Sequence, residues 1–248
     1  MKIGIIGAGN IGATIARKLA ASGHEIKLAN SKGPDSIQDL AREAGVSAVS
    51  KEDAVAGVDV VIVSIPFAKY RGLASLFSQV PADVVVIDTS NYYPFRDDAI
   101  EEIEGGKPES VWVSEQIGRP VVKAWNALLA QTLTDKGQPA GASSRLALPV
   151  AGDEAKAKAI ALELVEATGF DALDSGNLID SWRQQPGTPG YCTELTVEEL
   201  KLSLDAAAKE SAAQNREALL KEFMSATSTL SHEHVVARNR AITGSVLL

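Results

Sequence analysis

Gly7-Ala8-Gly9-Asn10-Ile11-Gly12 is the stretch on which the reading of this chain turns. The run before it, Lys2-Ile3-Gly4-Ile5-Ile6, is short, apolar and β-branched, which predicts a buried strand starting at the N-terminus. The run after it spaces Ile11, Ile15 and Leu19 four residues apart, which makes one apolar face of a helix. A glycine-rich turn between such a strand and helix has three jobs. The first glycine allows the tight turn, the second lets backbone approach a pyrophosphate, and the third permits close helix–strand packing. The helix N-terminus adds unpaired N–H groups and a positive dipole end. In this context the motif predicts a dinucleotide site and not merely a structural turn.

The next strand indicates which dinucleotide. Glu25-Ile26-Lys27-Leu28-Ala29 reads as the second parallel strand, and its C-terminal end belongs beside the adenine ribose. Asp or Glu at that point binds the ribose 2′-hydroxyl and repels a 2′-phosphate. This chain has Asn30-Ser31-Lys32 instead. A neutral amide, a hydroxyl and a cation suit a phosphate dianion through charge-assisted hydrogen bonds, so the expected cofactor is NADP(H). The alternative is that Asn30 and Ser31 only open a turn, since Gly33-Pro34 supplies turn chemistry.

Composition sets the outer limits. The chain has 248 residues, 45% of them hydrophobic, which is ample for a packed core. No apolar run approaches the roughly twenty residues of a membrane span, and the first strand begins too early for a signal peptide. A single cysteine, Cys192, excludes an internal disulfide and suits a reducing cytoplasm. A net charge of −8 argues against nucleic-acid and anionic-membrane surfaces.

Further along, a helix is expected over residues 36–44 and a helical turn at Ser50–Asp53. Val58–Ile65 reads as a strand covered on both faces, stopped by Pro66 at the sheet edge where open α/β sheets bind ligands. A helix over 67–78, a strand over 84–88 and the loop Thr89–Pro94 follow. Residues 121–126 read as a strand leading into a helix over 127–133. Strands are expected at 145–150 and 170–173 around a helix at 154–168. The expected class is therefore α/β: a doubly wound, mainly parallel sheet (Rossmann) over residues 1–176. Residues 177–248 form a smaller, mostly helical part carrying the acceptor site and oligomerisation contacts. In it Ser181–Tyr191 is irregular, and Thr196 with Glu199 forms a capping box for a helix to about Phe223. The apolar end Val246-Leu247-Leu248 suggests packing on a partner subunit, hence a homodimer.

Lys123 and Asn126 are the candidate catalytic residues, because a lysine at a strand end could protonate a carbonyl oxygen that an amide positions. Alternatively, Lys123 contacts cofactor or backbone and Asn126 caps the next helix. In the 182–191 loop, Trp182 and Tyr191 could stack on a planar ring while Arg183 meets a phosphate or carboxylate. The other reading makes Trp182 an interface anchor and Arg183 a salt-bridge partner. Tyr92 and Tyr93 could line the same cleft. His24 is expected at the surface, His232-Glu233-His234 lacks the i, i+4 spacing of a metal pair, and Cys192 reads as a partly buried thiol.

Gly7–Gly12, Ala29–Pro34, Ser64-Ile65-Pro66 and Val121–Asn126 together resemble the NADP oxidoreductase, coenzyme F420-dependent family. That group includes NADPH:deazaflavin reductases and is similar to the oxidoreductase domain of the STEAP metalloreductases. The resemblance implies pyrophosphate contacts along Ala8, Gly9, Asn10, Ile11 and Gly12, and 2′-phosphate contacts at Ser31 and Lys32. It also implies a nicotinamide path past Ser64, Ile65 and Pro66 to Asn91 and Ala124. The implied activity is hydride transfer between NADP(H) and a deazaflavin, such as coenzyme F420, or a flavin. Two departures concern the acceptor: the cofactor turn continues Gly33-Pro34-Asp35 without further basic residues, and the C-terminal part is longer. Reduction of a small carbonyl or imine, and a non-catalytic NADP-binding redox sensor, are the alternatives.

Overall fold

In the computed structural model, which describes residues 1–248, six parallel strands form the main sheet. They are β1 (Lys2–Ile6), β2 (Glu25–Ala29), β3 (Ser47–Ala48), β4 (Val60–Val63), β5 (Val85–Asp88) and β6 (Val122–Lys123). Their order is β3-β2-β1-β4-β5-β6, with Ile5 of β1 opposite Leu28 on one side and Ile62 on the other. Alternation along each strand sends Ile3, Ile5, Val60, Ile62 and Ile87 into one core. Ile6, Val61, Val63 and Val86 enter a second core on the opposite face. Burial on both faces is why these strands are apolar without interruption.

Helices α1 (Asn10–Ala21), α2 (Gln38–Ala44) and α3 (Lys51–Ala54) join the first four strands. The crossover between β4 and β5 differs from the helix expected over 67–78. A 3₁₀ helix, Phe67–Gly72, is followed by one α-turn, α4 (Ala74–Phe77). The three-residue period explains it, since it puts Phe67, Tyr70 and Leu73 on one buried face. Between β5 and β6 lie α5 (Pro94–Asp97), α6 (Glu101–Glu104) and α7 (Glu109–Ile117). The sequence reading left this stretch blank, yet α7 sets Trp112, Val113 and Ile117 into the second core.

After β6 the chain turns at Trp125, which has φ +53°, and α8 (Ala130–Asp135) starts three residues later than expected. The Ala127 carbonyl is not available to a helix because it accepts the Cys192 N–H at 3.0 Å. Strands β7 (Ala147–Val150) and β8 (Asp171–Asp174) flank α9 (Ala155–Ala167) and pair with each other in parallel. They join the main sheet through one antiparallel bridge, Lys123–Ala151, with N–H···O distances of 2.8 and 3.0 Å.

The remainder begins with a 3₁₀ helix, Leu178–Gln184, so the first part of the expected irregular segment is regular. The capping box at Thr196 and Glu199 is present, but the helix it starts, α10 (Val197–Asp205), is short. The chain breaks at Ala206–Ala208 and resumes as α11 (Lys209–Ser225). Packing overrides the alanine propensity: Leu200 and Leu204 dock on Ala147 and Leu195, while Glu222 of α11 pairs with Arg238 of α12 (His232–Thr243) at 2.6 Å. The C-terminal end is tied to its own α10, where Val246 N–H donates to Ser203 Oγ and Leu248 N–H to Glu199 Oε1. No helix is long and apolar enough to cross a membrane.

Candidate active site

The glycine turn divides its labour as the sequence reading expects. Gly7 has φ +116°, and a Cβ there would lie 2.0 Å from the Ser64 carbonyl oxygen. A Cβ on Gly12 would lie 1.9 Å from the Gly7 carbonyl oxygen, so both positions exclude any side chain. Gly9 faces open space, with no atom within 4 Å of a would-be Cβ. Gly9 is also the N-cap of α1 and no side chain caps the helix, leaving its first N–H groups free. Ala8, Asn10 and Ile11 lie on the same rim, Asn10 exposed and the other two half-buried. The β1–β4 boundary, where strand order reverses, lies beside this rim, and Ser64, Ile65 and exposed Pro66 form its other wall.

At the end of β2 the two readings of Asn30 are separated. Its Oδ1 accepts the Lys32 N–H at 3.0 Å and its Nδ2 donates to Ser36 Oγ at 2.8 Å. The amide expected to meet a phosphate is therefore spent on the turn. Ser31 and Lys32 are exposed and their side chains have no protein partner. A hydroxyl and a cation held on an Asx turn, with no carboxylate, form a donor set that fits a 2′-phosphate.

Beyond β5 and β6 the side chains form a continuous amide chain. Asn91 Nδ2 donates to the Asn126 carbonyl at 2.9 Å, and Asn126 Nδ2 donates to Asn91 Oδ1 at 3.0 Å and to the Gln184 carbonyl at 2.8 Å. Gln184 Nε2 donates to Asn126 Oδ1 at 2.9 Å and to the Pro149 carbonyl at 3.2 Å. Each amide is pinned by a backbone carbonyl that can only accept, so its orientation is fixed. Asn91, half-buried at the sheet edge, is left with an unused N–H. Asn126 is not a helix cap, since α8 begins beyond Leu129. Ala124 is buried beneath this chain.

Lys123 does not reach the crevice. It is fully buried, with Nζ 3.1 Å from the Ser90 carbonyl, 3.0 Å from Ser110 Oγ, 3.4 Å from Glu109 Oε2 and 3.8 Å from Asp88 Oδ2. An interior pair of carboxyls holds the ammonium inward, which corrects its reading as a proton donor to a carbonyl. Burial pushes the Glu109 carboxyl above the usual carboxylate range, a trend that Lys123 opposes.

A cleft of about 560 Å³ opens beside this cluster, walled by Glu109, Lys107, Trp182, Gln185, Lys209 and Arg216 among others. Arg183 lies 4.8 Å from the Trp182 ring and donates to the Leu204 carbonyl at the end of α10. It is half-buried and forms no salt bridge. Tyr191 is also withdrawn, with its hydroxyl 2.7 Å from that of Tyr93, and Tyr92 is a core residue bonded to Glu104. Cys192 is fully enclosed, and burial pushes its thiol up to about 12. His24 is half-buried beside the N-terminal amine, while His232 and His234 face different partners, Glu194 and Glu222.

Residues 2–92 match the family model of the NADP oxidoreductases, coenzyme F420-dependent. The Escherichia coli protein YjhV is 36% identical over 104 residues, covering 42% of this chain and 76% of YjhV. The chain belongs to this family. It is an NADP-dependent oxidoreductase, and NADP(H) is its cofactor. The rat metalloreductase STEAP3 is 27% identical over 177 residues, and the chain spans 34% of its length. Among solved structures, a hypothetical protein of Sinorhizobium meliloti matches with TM-score 0.67 and 32% identity, over 79% of this chain and 95% of its own. An Arthrobacter protein described as a candidate F420-dependent NADP reductase shares the fold, with TM-score 0.59, 23% identity, and coverage of 72% and 86%.

For this oxidoreductase the sequence reading missed Gln184 and Glu109. Gln184 lies in a segment classed as irregular, and only its neighbours Trp182 and Arg183 drew attention. Glu109 stands at the start of an unread helix, where an exposed acidic first turn is the ordinary arrangement. Its burial follows from tertiary packing alone.

Proposed function

We propose that this NADP-dependent oxidoreductase exchanges a hydride between NADP(H) and a planar ring acceptor of the deazaflavin or flavin type, received in the 560 Å³ cleft beside Trp182. The observation that carries this reading is that the cleft shares a chain segment with the amide chain at Asn91. Its wall residues Gln185 and Pro186 continue from Gln184, whose amide is two hydrogen bonds from Asn91. The cleft also offers cations to an anionic tail, Lys107, Lys209 and Arg216, in a protein of net charge −8. Bound NADPH supplies the hydride, and the protein's work is placement and water exclusion.

In this reading the backbone from Ala8 to Gly12 holds the pyrophosphate, and Ser31 with Lys32 holds the 2′-phosphate. Ser64, Ile65 and Pro66 bound the nicotinamide ribose, while Asn91 over Ala124 orients the ring. Residues 1–176 hold the cofactor, and residues 177–248 build the acceptor wall together with the segment from Ile103 to Glu109. Lys123 is buried away from the crevice, so it does not supply the proton that reduction of a small carbonyl would take from it.

The test is NADPH oxidation with a deazaflavin, FMN, FAD and ferric chelates as acceptors. Turnover with one ring acceptor is expected, and turnover confined to 2-oxo acids would overturn the assignment. Lys32→Ala is expected to weaken NADPH binding about tenfold, as loss of a charge-assisted hydrogen bond does, with NADH unaffected. Equal loss for both nucleotides would remove the phosphate role.

A further inference from the structure

We infer that Glu109, a residue of the cleft wall, is the proton donor to the reduced acceptor and is kept protonated beside the buried Asp88–Lys123 pair. This rests on the acceptor reading of the cleft. The cluster contains two carboxyls and one ammonium, with Asp88 and Lys123 fully buried and Glu109 3% exposed. Ionising both acids would bury one uncompensated negative charge, which a low-dielectric interior resists. One proton therefore stays in the cluster.

Hydrogen bonding decides where that proton sits. Asp88 accepts from Tyr70 Oη at 2.6 Å, Ser90 N at 2.9 Å, Ser90 Oγ at 2.6 Å and Ser110 Oγ at 2.6 Å. Donors in that number stabilise a carboxylate. Glu109 is met by Lys123 at 3.4 Å and by the Tyr92 backbone. Asp88 is the anion, Lys123 its counter-ion, and Glu109 the neutral acid. Of the two carboxyls, Glu109 is the one on the cleft wall. The groups facing it are Asp88, Lys123 and the Tyr93 phenol from the sheet side. Lys107, Lys209, Arg216, Glu104 and Glu210 also line the cleft; Lys107 pairs with Glu115, and Arg216 with Glu217 and Glu104.

The net reaction takes up one proton together with the hydride. A deazaflavin or flavin ring gains a hydride, with its bonding electron pair, from NADPH and a proton at a ring nitrogen, and NADP⁺ remains. The proton comes from the Glu109 O–H bond, which breaks as the new N–H bond forms. The resulting Glu109 carboxylate leaves the cluster with one excess negative charge, which is relieved when it takes a proton back from water at the cleft. Oxidation of the reduced ring runs the same steps in reverse, with Glu109 as base.

Infrared spectroscopy of the cofactor-free protein tests the protonation directly. A carboxylic C=O band at neutral pH is expected in the wild type and absent in Glu109→Gln. Stopped-flow reduction of the ring acceptor is expected to slow about a hundredfold in Glu109→Gln, with calorimetric NADPH affinity unchanged. A wild type without the band overturns the inference, as does a Glu109→Gln protein reducing the acceptor at full rate. A wild type that binds NADPH yet reduces no ring acceptor overturns the cleft's assignment and, with it, this role.

Discussion

Three glycines within six residues look interchangeable on paper but have different duties in space. A methyl group on Gly12 would collide with the Gly7 carbonyl, backbone against backbone, so neither side can yield cheaply. Gly12→Ala is expected to destabilise the fold by about 1–3 kcal/mol, the usual range for overpacking, read as a lowered thermal midpoint. Gly9→Ala places its methyl in open space and should leave that midpoint almost unchanged. It should instead weaken NADPH binding in calorimetry, because the methyl occupies the approach to the backbone. A Gly9→Ala protein that binds normally would show that the pyrophosphate lies elsewhere. Asn91 permits a comparable separation. Asn91→Asp keeps the shape and exchanges a donor for an acceptor, so NADPH affinity should drop about tenfold. Binding of 2′,5′-ADP, which has no nicotinamide, should stay as it was; a parallel loss for both ligands would contradict the proposed contact.

The elements that the sequence displays clearly are those whose burial is set by their own periodicity. Strands β1, β2, β4 and β5 announce themselves by apolar runs, and α1 by Ile11, Ile15 and Leu19. The cofactor side of the candidate site was legible because glycines and the Asn30-Ser31-Lys32 turn lie within contiguous motifs. The other side is assembled by packing. Val111-Trp112-Val113 has strand-like composition, yet it forms α7 because the second core needs a helix over Phe67 and Tyr92. The 3₁₀ helix Leu178–Gln184 carries no periodic signal, yet it delivers the amide that completes the Asn91–Asn126 chain. That dependence predicts the effect of cutting it. Gln184→Leu leaves Asn126 Oδ1 without its donor in a dry interior, which is expected to cost about 1–3 kcal/mol in denaturant unfolding. If the chain positions the nicotinamide, the same variant should also raise KM for NADPH without changing affinity for 2′,5′-ADP.

The two parts of the chain are joined through buried polar contacts as well as through the packing of Leu195, Leu200 and Leu204 on Ala147. Gln184 meets Asn126, the Tyr191 hydroxyl meets that of Tyr93, the Cys192 N–H meets Ala127, and Thr132 bonds to Glu194, which also holds His232. Several of these groups are neutral acids in a dry setting. Burial drives the phenols of Tyr93 and Tyr191 upward, and it drives the Cys192 thiol from 9.0 to about 12. A group whose folded pKa is raised contributes stability that is full below its unfolded value and disappears as pH climbs through its folded value. For Cys192 that window runs from about 9 to about 12, where the unfolded chain has released a proton that the native protein keeps. The join between the parts should therefore weaken as pH rises through that window. Chemical unfolding across that window should show stability falling with pH, and the slope should be shallower in Cys192→Ala by the share of one proton. Identical slopes in the two proteins would mean that the thiol ionises alike in both states. Its enclosure between Tyr191 and the Ala127 turn would then contribute nothing to holding the C-terminal part in place.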